Sequence, residues 1–119
     1  MKYYLAKINY QIITGSSDHT AQFDEQLRLL VARNGEDALE KAEALGIKES
    51  DRFMNEKHTL VEWKFIDVSE LHELSTVSDG VEVWSRITEQ DHADSFIETI
   101  RRKSAALRLQ HNLNFLPSM

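Results

Sequence analysis

Between Lys2 and Ile13 every even position is apolar or aromatic: Tyr4, Ala6, Ile8, Tyr10 and Ile12. The odd positions mix Tyr3 and Leu5 with Lys7, Asn9 and Gln11. A period of two sends alternate side chains to opposite faces, so this run predicts a strand with one face on a core and the other nearer water. TGSSDHT at 14–20 is turn chemistry, and a second strand over about Ala21 to Ala32 is expected to return beside the first, with Phe23, Leu27, Leu29 and Val31 pointing one way.

The period then changes. Asn34 suits a helix N-cap, with Glu36 and Asp37 in the first turn, where the helix dipole favours carboxylates. Ala38, Leu39, Ala42 and Leu45 form an apolar stripe at helical spacing, Asp37 and Lys41 can pair one turn apart, and Gly46 fits the left-handed residue that follows a helix. Residues 47–57 carry no clear period and read as a loop or a single helical turn pinned by Phe53 and Met54. A third strand starts near Thr59 with Val61, Trp63 and Phe65 inward. Its phase slips at Ile66, Val68 and Leu71, so a bulge is expected within 66–70. Ser78-Asp79-Gly80 signals a hairpin into a fourth strand carrying Val81, Val83 and Ile87. A last helix begins around Thr88 to Asp91, striped by Phe96, Ile97, Ile100 and Leu107, with Asp91 as its expected cap. These elements predict an α+β domain: a four-stranded, mainly antiparallel sheet in the order ββαββ with one packed helix and a C-terminal amphipathic helix. Residues 1–89 form the expected domain, and 90–119 a helix and tail packing on it or on a second subunit; strand order is left open.

A chain of 119 residues suits one compact domain, which at this size buries roughly two thirds of its unfolded surface. The absence of cysteine removes disulfides, thiolate metal sites and a cysteine nucleophile together. Lys7, Asn9 and Gln11 break the N-terminal apolar run, and no stretch approaches the roughly 20 residues needed to cross a bilayer, so a cytoplasmic protein without membrane contact is expected. Residues 1–98 hold all 20 acidic and 10 of the basic side chains, a net charge of −10. Residues 99–119 hold four basic side chains and no acid, a net of +4. An acidic body repels phosphates, which argues against nucleic-acid binding.

Lys-Tyr-Tyr-Leu-Ala-Lys at the start, Arg-Asn-Gly-Glu-Asp-Ala-Leu-Glu-Lys-Ala in the middle, then Val-Glu-Trp-Lys-Phe-Ile-Asp-Val and Gly-Val-Glu-Val-Trp-Ser-Arg-Ile together resemble an uncharacterised bacterial family, domain of unknown function 4288. The resemblance covers about residues 2–87 and implies a small bacterial domain, often standing alone. It carries no assigned activity, substrate or catalytic residue.

The chemistry-bearing residues give little support to catalysis. Glu-Leu-His-Glu-Leu at 70–74 hints at a metalloprotease helix, but that motif needs a second histidine on the next turn, and Leu74-Ser75-Thr76 follow instead. His19, His58, His92 and His111 are scattered, and all four glycines fall at expected turns or helix ends, so no metal or cofactor is expected. Glu70 with Glu73, and Asp91 with Asp94, are the available carboxylate pairs, and Ser85-Arg86 with Lys7 a polar grouping. The outward sides of the strands carry Tyr3, Leu5 and Trp84, more apolar surface than a wetted sheet needs, so the last helix or a partner should cover them. The favoured reading is a non-catalytic binding or regulatory module, such as an immunity or inhibitor-type protein. Its expected interaction surface comprises Tyr3, Leu5, Lys7, Trp84, Arg86, Arg101, Arg102 and Arg108. A homodimer with the last helix at or beside the interface is expected, the tail residues Leu113, Phe115 and Leu116 extending the contact. The alternative is a small enzyme whose site is assembled from residues distant in sequence.

Overall fold

The computed structural model describes residues 1–15 and 20–111. His19, most of the turn expected over 14–20, and the tail from Asn112 onward lie outside the described residues. The chain divides into two compact units, Met1–Ser85 and Arg86–Met119.

The first unit contains β1 (Lys2–Thr14), β2 (Gln22–Ala32), α1 (Gly35–Lys48), β3 (Asp51–Met54) and β4 (Leu60–Leu74). The strands form one antiparallel sheet in the order β2-β1-β4-β3, so the longest pairings flank β1. The fold is α+β in the ββαββ order expected, but its last sheet strand is a different segment. Residues 51–54, read as loop, form β3 and turn into β4 through Asn55–Thr59. The Asn55 side chain accepts from the backbone N–H groups of Lys57 and Thr59, and His58 takes a left-handed φ of 59°. The hairpin signal at 78–80 does make a turn, with Gly80 at φ 84° and the Val81 N–H on the Ser78 carbonyl, but residues 81–87 form no strand.

Alternation along β1 is as expected: Tyr4, Ala6, Ile8 and Tyr10 are buried beneath α1. Register assigns the faces of the neighbours. Tyr4 lies opposite Leu30, Ala6 opposite Arg28 and Tyr10 opposite Asp24, so the helix-covered side of β2 is largely polar. The apolar residues Phe23, Leu27, Leu29 and Val31 share the other side with Tyr3, Leu5 and Lys7 and face away from α1. On β4, Val61, Trp63 and Phe65 share the side of Ile12 and Tyr10 that faces α1.

α1 starts on a reciprocal cap. Asn34 Oδ1 accepts from the Asp37 N–H at 2.8 Å, while Asp37 Oδ2 accepts from the Arg33 N–H at 3.0 Å. Asp37 takes Arg33 as its ion partner; Lys41 donates instead to the Val31 carbonyl at the end of β2. The buried helix face is Ala38, Ala42 and Gly46, with Leu45 half-buried and Leu39 exposed. Gly46 is not the residue after the helix; α1 runs past it to Lys48. Its lack of a side chain is required, because a β-carbon there would overlap the Phe65 ring. Phe65 in turn meets Tyr10 edge-on, with ring centroids 6.0 Å apart.

The last four carbonyls of a helix lack partners within it. Here the Leu45 carbonyl accepts from the Glu49 N–H, the Ile47 carbonyl from Ser50, and the Gly46 carbonyl from the buried Tyr10 hydroxyl at 2.9 Å. Burial first, then the Glu49 carboxylate, pushes the Tyr10 phenol above its ordinary range. Arg28 clasps Glu49 at 2.7 and 3.2 Å and ties β2 to the same helix end.

The second unit holds α2 (Ala93–Gln110). Its N-cap is His92, not Asp91, and makes no side-chain cap bond. Phe96, Ile97, Ile100 and Leu107 are all exposed, and Arg102 pairs with Glu98 one turn back. Among the described residues no helix is long and apolar enough to cross a membrane.

Replacing glycine by alanine inside a helix ordinarily gains about 1 kcal/mol, whereas overpacking a core costs roughly 1–3 kcal/mol. With Phe65 held by Tyr10, the packing cost wins. Gly46→Ala should lower the urea midpoint, and adding Phe65→Leu should recover part of the loss. Tyr10→Phe leaves a helix-end carbonyl buried and unpaired, and should cost about 1–2 kcal/mol in the same measurement.

Candidate functional site on the open face of the sheet

The side of the sheet away from α1 is organised by two irregularities in β4. Its pairing with β1 skips Ser69, between Lys7 and Ile8, and Ile66, between Asn9 and Tyr10. A bulge was expected within 66–70; there are two, and Ile66, assigned to the apolar pattern from sequence, is an exposed bulge residue. Asn9 Nδ2 holds both together, donating to the Asp67 carbonyl at 3.0 Å and to Ser69 Oγ at 2.8 Å. An extra residue reverses the side to which every later side chain points. The two bulges therefore return Leu71 to the helix side and set Glu70 opposite Lys7, His72 opposite Leu5 and Leu74 opposite Tyr3.

A charged chain crosses three strands as a result. Lys7 Nζ lies 2.7 Å from Glu25 Oε1 on β2 and 3.3 Å from Glu70 Oε2 on β4, and Glu70 Oε1 lies 3.1 Å from His72 Nε2. Hydrogen bonding to Glu25 and then Glu70 raises the Lys7 ammonium above its ordinary range. The His72 contact, and after it Lys7, holds the Glu70 carboxyl below the usual range. Trp84, from the segment after β4, lies over this chain, its ring edge-on to His72 at 5.9 Å. Trp84, Lys7, Glu25, Leu27 and Glu70 line a pocket of about 210 Å³. A hollow of about 300 Å³ lies alongside, between residues 72–75 and 82–85.

The β2 half of the face is apolar apart from Glu25, which separates Phe23 from Leu27. Val31 lies opposite Tyr3, Leu29 opposite Leu5, Leu27 opposite Lys7 and Phe23 opposite Gln11. Leu5 and Leu74 are buried, but Phe23 is 59% exposed and Leu27 and Leu29 are each 53% exposed.

Of the expected interaction residues, the structure gathers Tyr3, Leu5, Lys7 and Trp84 on this face. Arg86 opens the second unit, and Arg101, Arg102 and Arg108 lie on α2. Glu70 and Glu73 are not a catalytic pair: they point to opposite sides, and Glu73 takes the Lys2 ammonium at 3.0 Å and the Tyr4 hydroxyl at 3.4 Å on the helix side. Sequence reading missed Glu25, Leu27, Leu29 and His72 as members of the face. The even spacing of Glu25, Leu27 and Leu29 was a visible signal once β2 is paired in register with β1. Among the described residues no group of three His, Asp or Glu could hold a metal ion.

Because Glu70 is more acidic folded than unfolded, its stabilising contribution is present above the ordinary carboxylate range and lost as pH falls through its lowered value. A carboxyl-resolved NMR titration should place its midpoint below that of a free glutamate. His72→Ala should move it upward, by more than Lys7→Met does.

No curated protein and no solved structure matches the chain. Residues 3–85 match the model of the family described as Domain of unknown function (DUF4288), a span ending where the first compact unit ends. The chain belongs to that family.

Proposed function

We propose that the protein is a non-catalytic binding or regulatory module of the bacterial cytoplasm, acting as a homodimer, with the open sheet face as its contact surface for a protein partner. The observation that carries this reading is the row Phe23, Leu27, Leu29 and Val31. It is exposed on a regular strand, continuous with Tyr3, and bounded on its other flank by Trp84 and the Lys7 cluster. Contiguous apolar surface rimmed by polar groups is the usual mark of a protein-binding site. The charges around the pocket beneath Trp84 are already paired with one another.

The net charge of −10 over residues 1–98 favours a partner with a basic surface and disfavours nucleic acid, as an immunity or inhibitor-type protein would require. The alternative, a small enzyme, would work where Glu70 orients His72 beside Lys7.

A photo-reactive side chain at Leu29 in the producing cell should give discrete higher-mass species, and the same probe at Glu56 should give none. A product of two chain masses identifies the second copy; any other discrete mass identifies a different protein. If probes at Leu27, Leu29 and Val31 all stay uncoupled, the open face is not a contact surface.

A further inference from the structure

The two sides of the sheet are finished differently. On one side stand the four-residue β3, with Asp51 and Arg52 in it, and then the doubly bulged stretch of β4 with Asp67, Glu70 and Glu73. Short strands, charges and bulges are how proteins prevent a sheet edge from pairing with another chain. On the other side β2 runs eleven residues in unbroken register with β1, without proline, glycine or bulge. It carries charges at Asp24, Glu25 and Arg28, and its Val31 carbonyl takes the Lys41 ammonium.

The helix side of β2 also carries an ordered polar row. Gln26 Nε2 donates to Asp24 Oδ2 at 2.7 Å, and Arg28 Nη1 donates to Gln26 Oε1 at 3.0 Å. The row is acidic at one end, neutral in the middle and basic at the other, so it complements itself when reversed.

We propose that two copies of the chain join β2 to β2, antiparallel, about a two-fold axis at Gln26, so that the two sheets become one. This rests on the homodimer in the reading above and supplies its interface. Each Gln26 then lies opposite its mate, Arg28 opposite the other copy's Asp24, and Leu29 opposite the other copy's Phe23. Opposite-charge and apolar cross-strand pairs each stabilise a ladder. The paired stretch runs from Gln22 to Leu30 and stops one residue short of the carbonyl that Lys41 occupies. Neighbouring registers fit worse. The Gln26 axis leaves one mismatch, Glu25 against the other copy's Leu27; an axis at Leu27 sets both Asp24 and Glu25 against Leu30 and Leu29 and loses the Arg28–Asp24 pair, and an axis at Arg28 sets two guanidinium groups against each other. A two-fold axis normal to the sheet places both open faces on the same side, which joins their exposed rows into one surface.

The chain has no cysteine, so single introduced cysteines report the register directly. Gln26→Cys should convert the full chain to a disulfide-linked dimer under mild oxidation, while Leu30→Cys and Glu56→Cys stay monomeric in denaturing gels. Sedimentation of the unmodified chain should show the dimer mass, and amide exchange should show protection along β2 that fades on dilution. Faster linkage through Leu27→Cys than through Gln26→Cys would overturn the register. An unmodified chain that sediments as a monomer, with neither Gln26→Cys nor Leu27→Cys linked, overturns the dimer. Linkage through Ile97→Cys with the β2 variants inert would assign the dimer to α2 instead. Other-mass photo-products from Leu29 in a monomeric protein would leave the binding-module reading standing and remove only this interface.

Discussion

The fold depends on one place where a side chain is missing. Gly46 lets the last turn of α1 settle onto Phe65, and the same residue offers its carbonyl to the Tyr10 hydroxyl. Size complementarity runs along the whole contact. The helix presents Ala38, Ala42 and Gly46, and the sheet presents Tyr4, Tyr10 and Phe65. Close-packed interiors accept large against small far better than either against its like. The Asn34–Asp37 cap fixes one end of α1, and Tyr10 with the Arg28–Glu49 pair fixes the other. One helix so placed covers one side of β1, β2 and β4, and the remaining side must be completed by other means.

That completion is partial and depends on Asn9. By holding both bulges it moves the later half of β4 two positions along β1, setting Glu70 rather than Val68 opposite Lys7, and through Glu70 bringing His72 into the same cluster. Trp84 then covers the cluster, leaving Leu5 and Leu74 buried and the β2 row exposed.

Local signals were legible and long-range ones were not. The alternation of Tyr4, Ala6, Ile8 and Tyr10 and the cap at Asn34 are properties of neighbouring residues, and both are present as read. Gly46 was misread because helix-ending and close-packing glycines look alike until Phe65, nineteen positions away, is known to lie against it. Val81, Val83 and Ile87 have strand alternation after a correctly read turn, yet tertiary placement overrides propensity there, as it often does for β-strands. The four residues of β3 are too few to show a period, and their hairpin is closed by the Asn55 side chain and a left-handed His58 where a glycine would have been the visible sign. On the face itself, Tyr3, Leu5 and Lys7 follow from parity along one strand. Glu25, Leu27 and His72 join them only through strand order and bulge position, which no single segment encodes.

The electrostatics of this face separate attraction from adhesion. Lys7 is compensated by two carboxylates, and Glu70 by Lys7 and His72, so the charges around the pocket are largely satisfied by one another. For the proposed protein contact, the excess of ten negative charges over residues 1–98 would act from a distance, favouring encounter with basic surfaces and rejecting acidic ones. In that proposal close-range affinity falls to the apolar row on β2, which is also the strand at the long, unbulged edge. Surface contact and edge pairing thus draw on the same eleven residues, with alternate side chains serving the open face and the Asp24-Gln26-Arg28 row serving register. A substitution on the open side of β2 should weaken adhesion without disturbing that row, and a substitution within the row should disturb register while leaving the apolar side intact. The period of two that first marks the chain as a sheet former is what keeps those two properties separable.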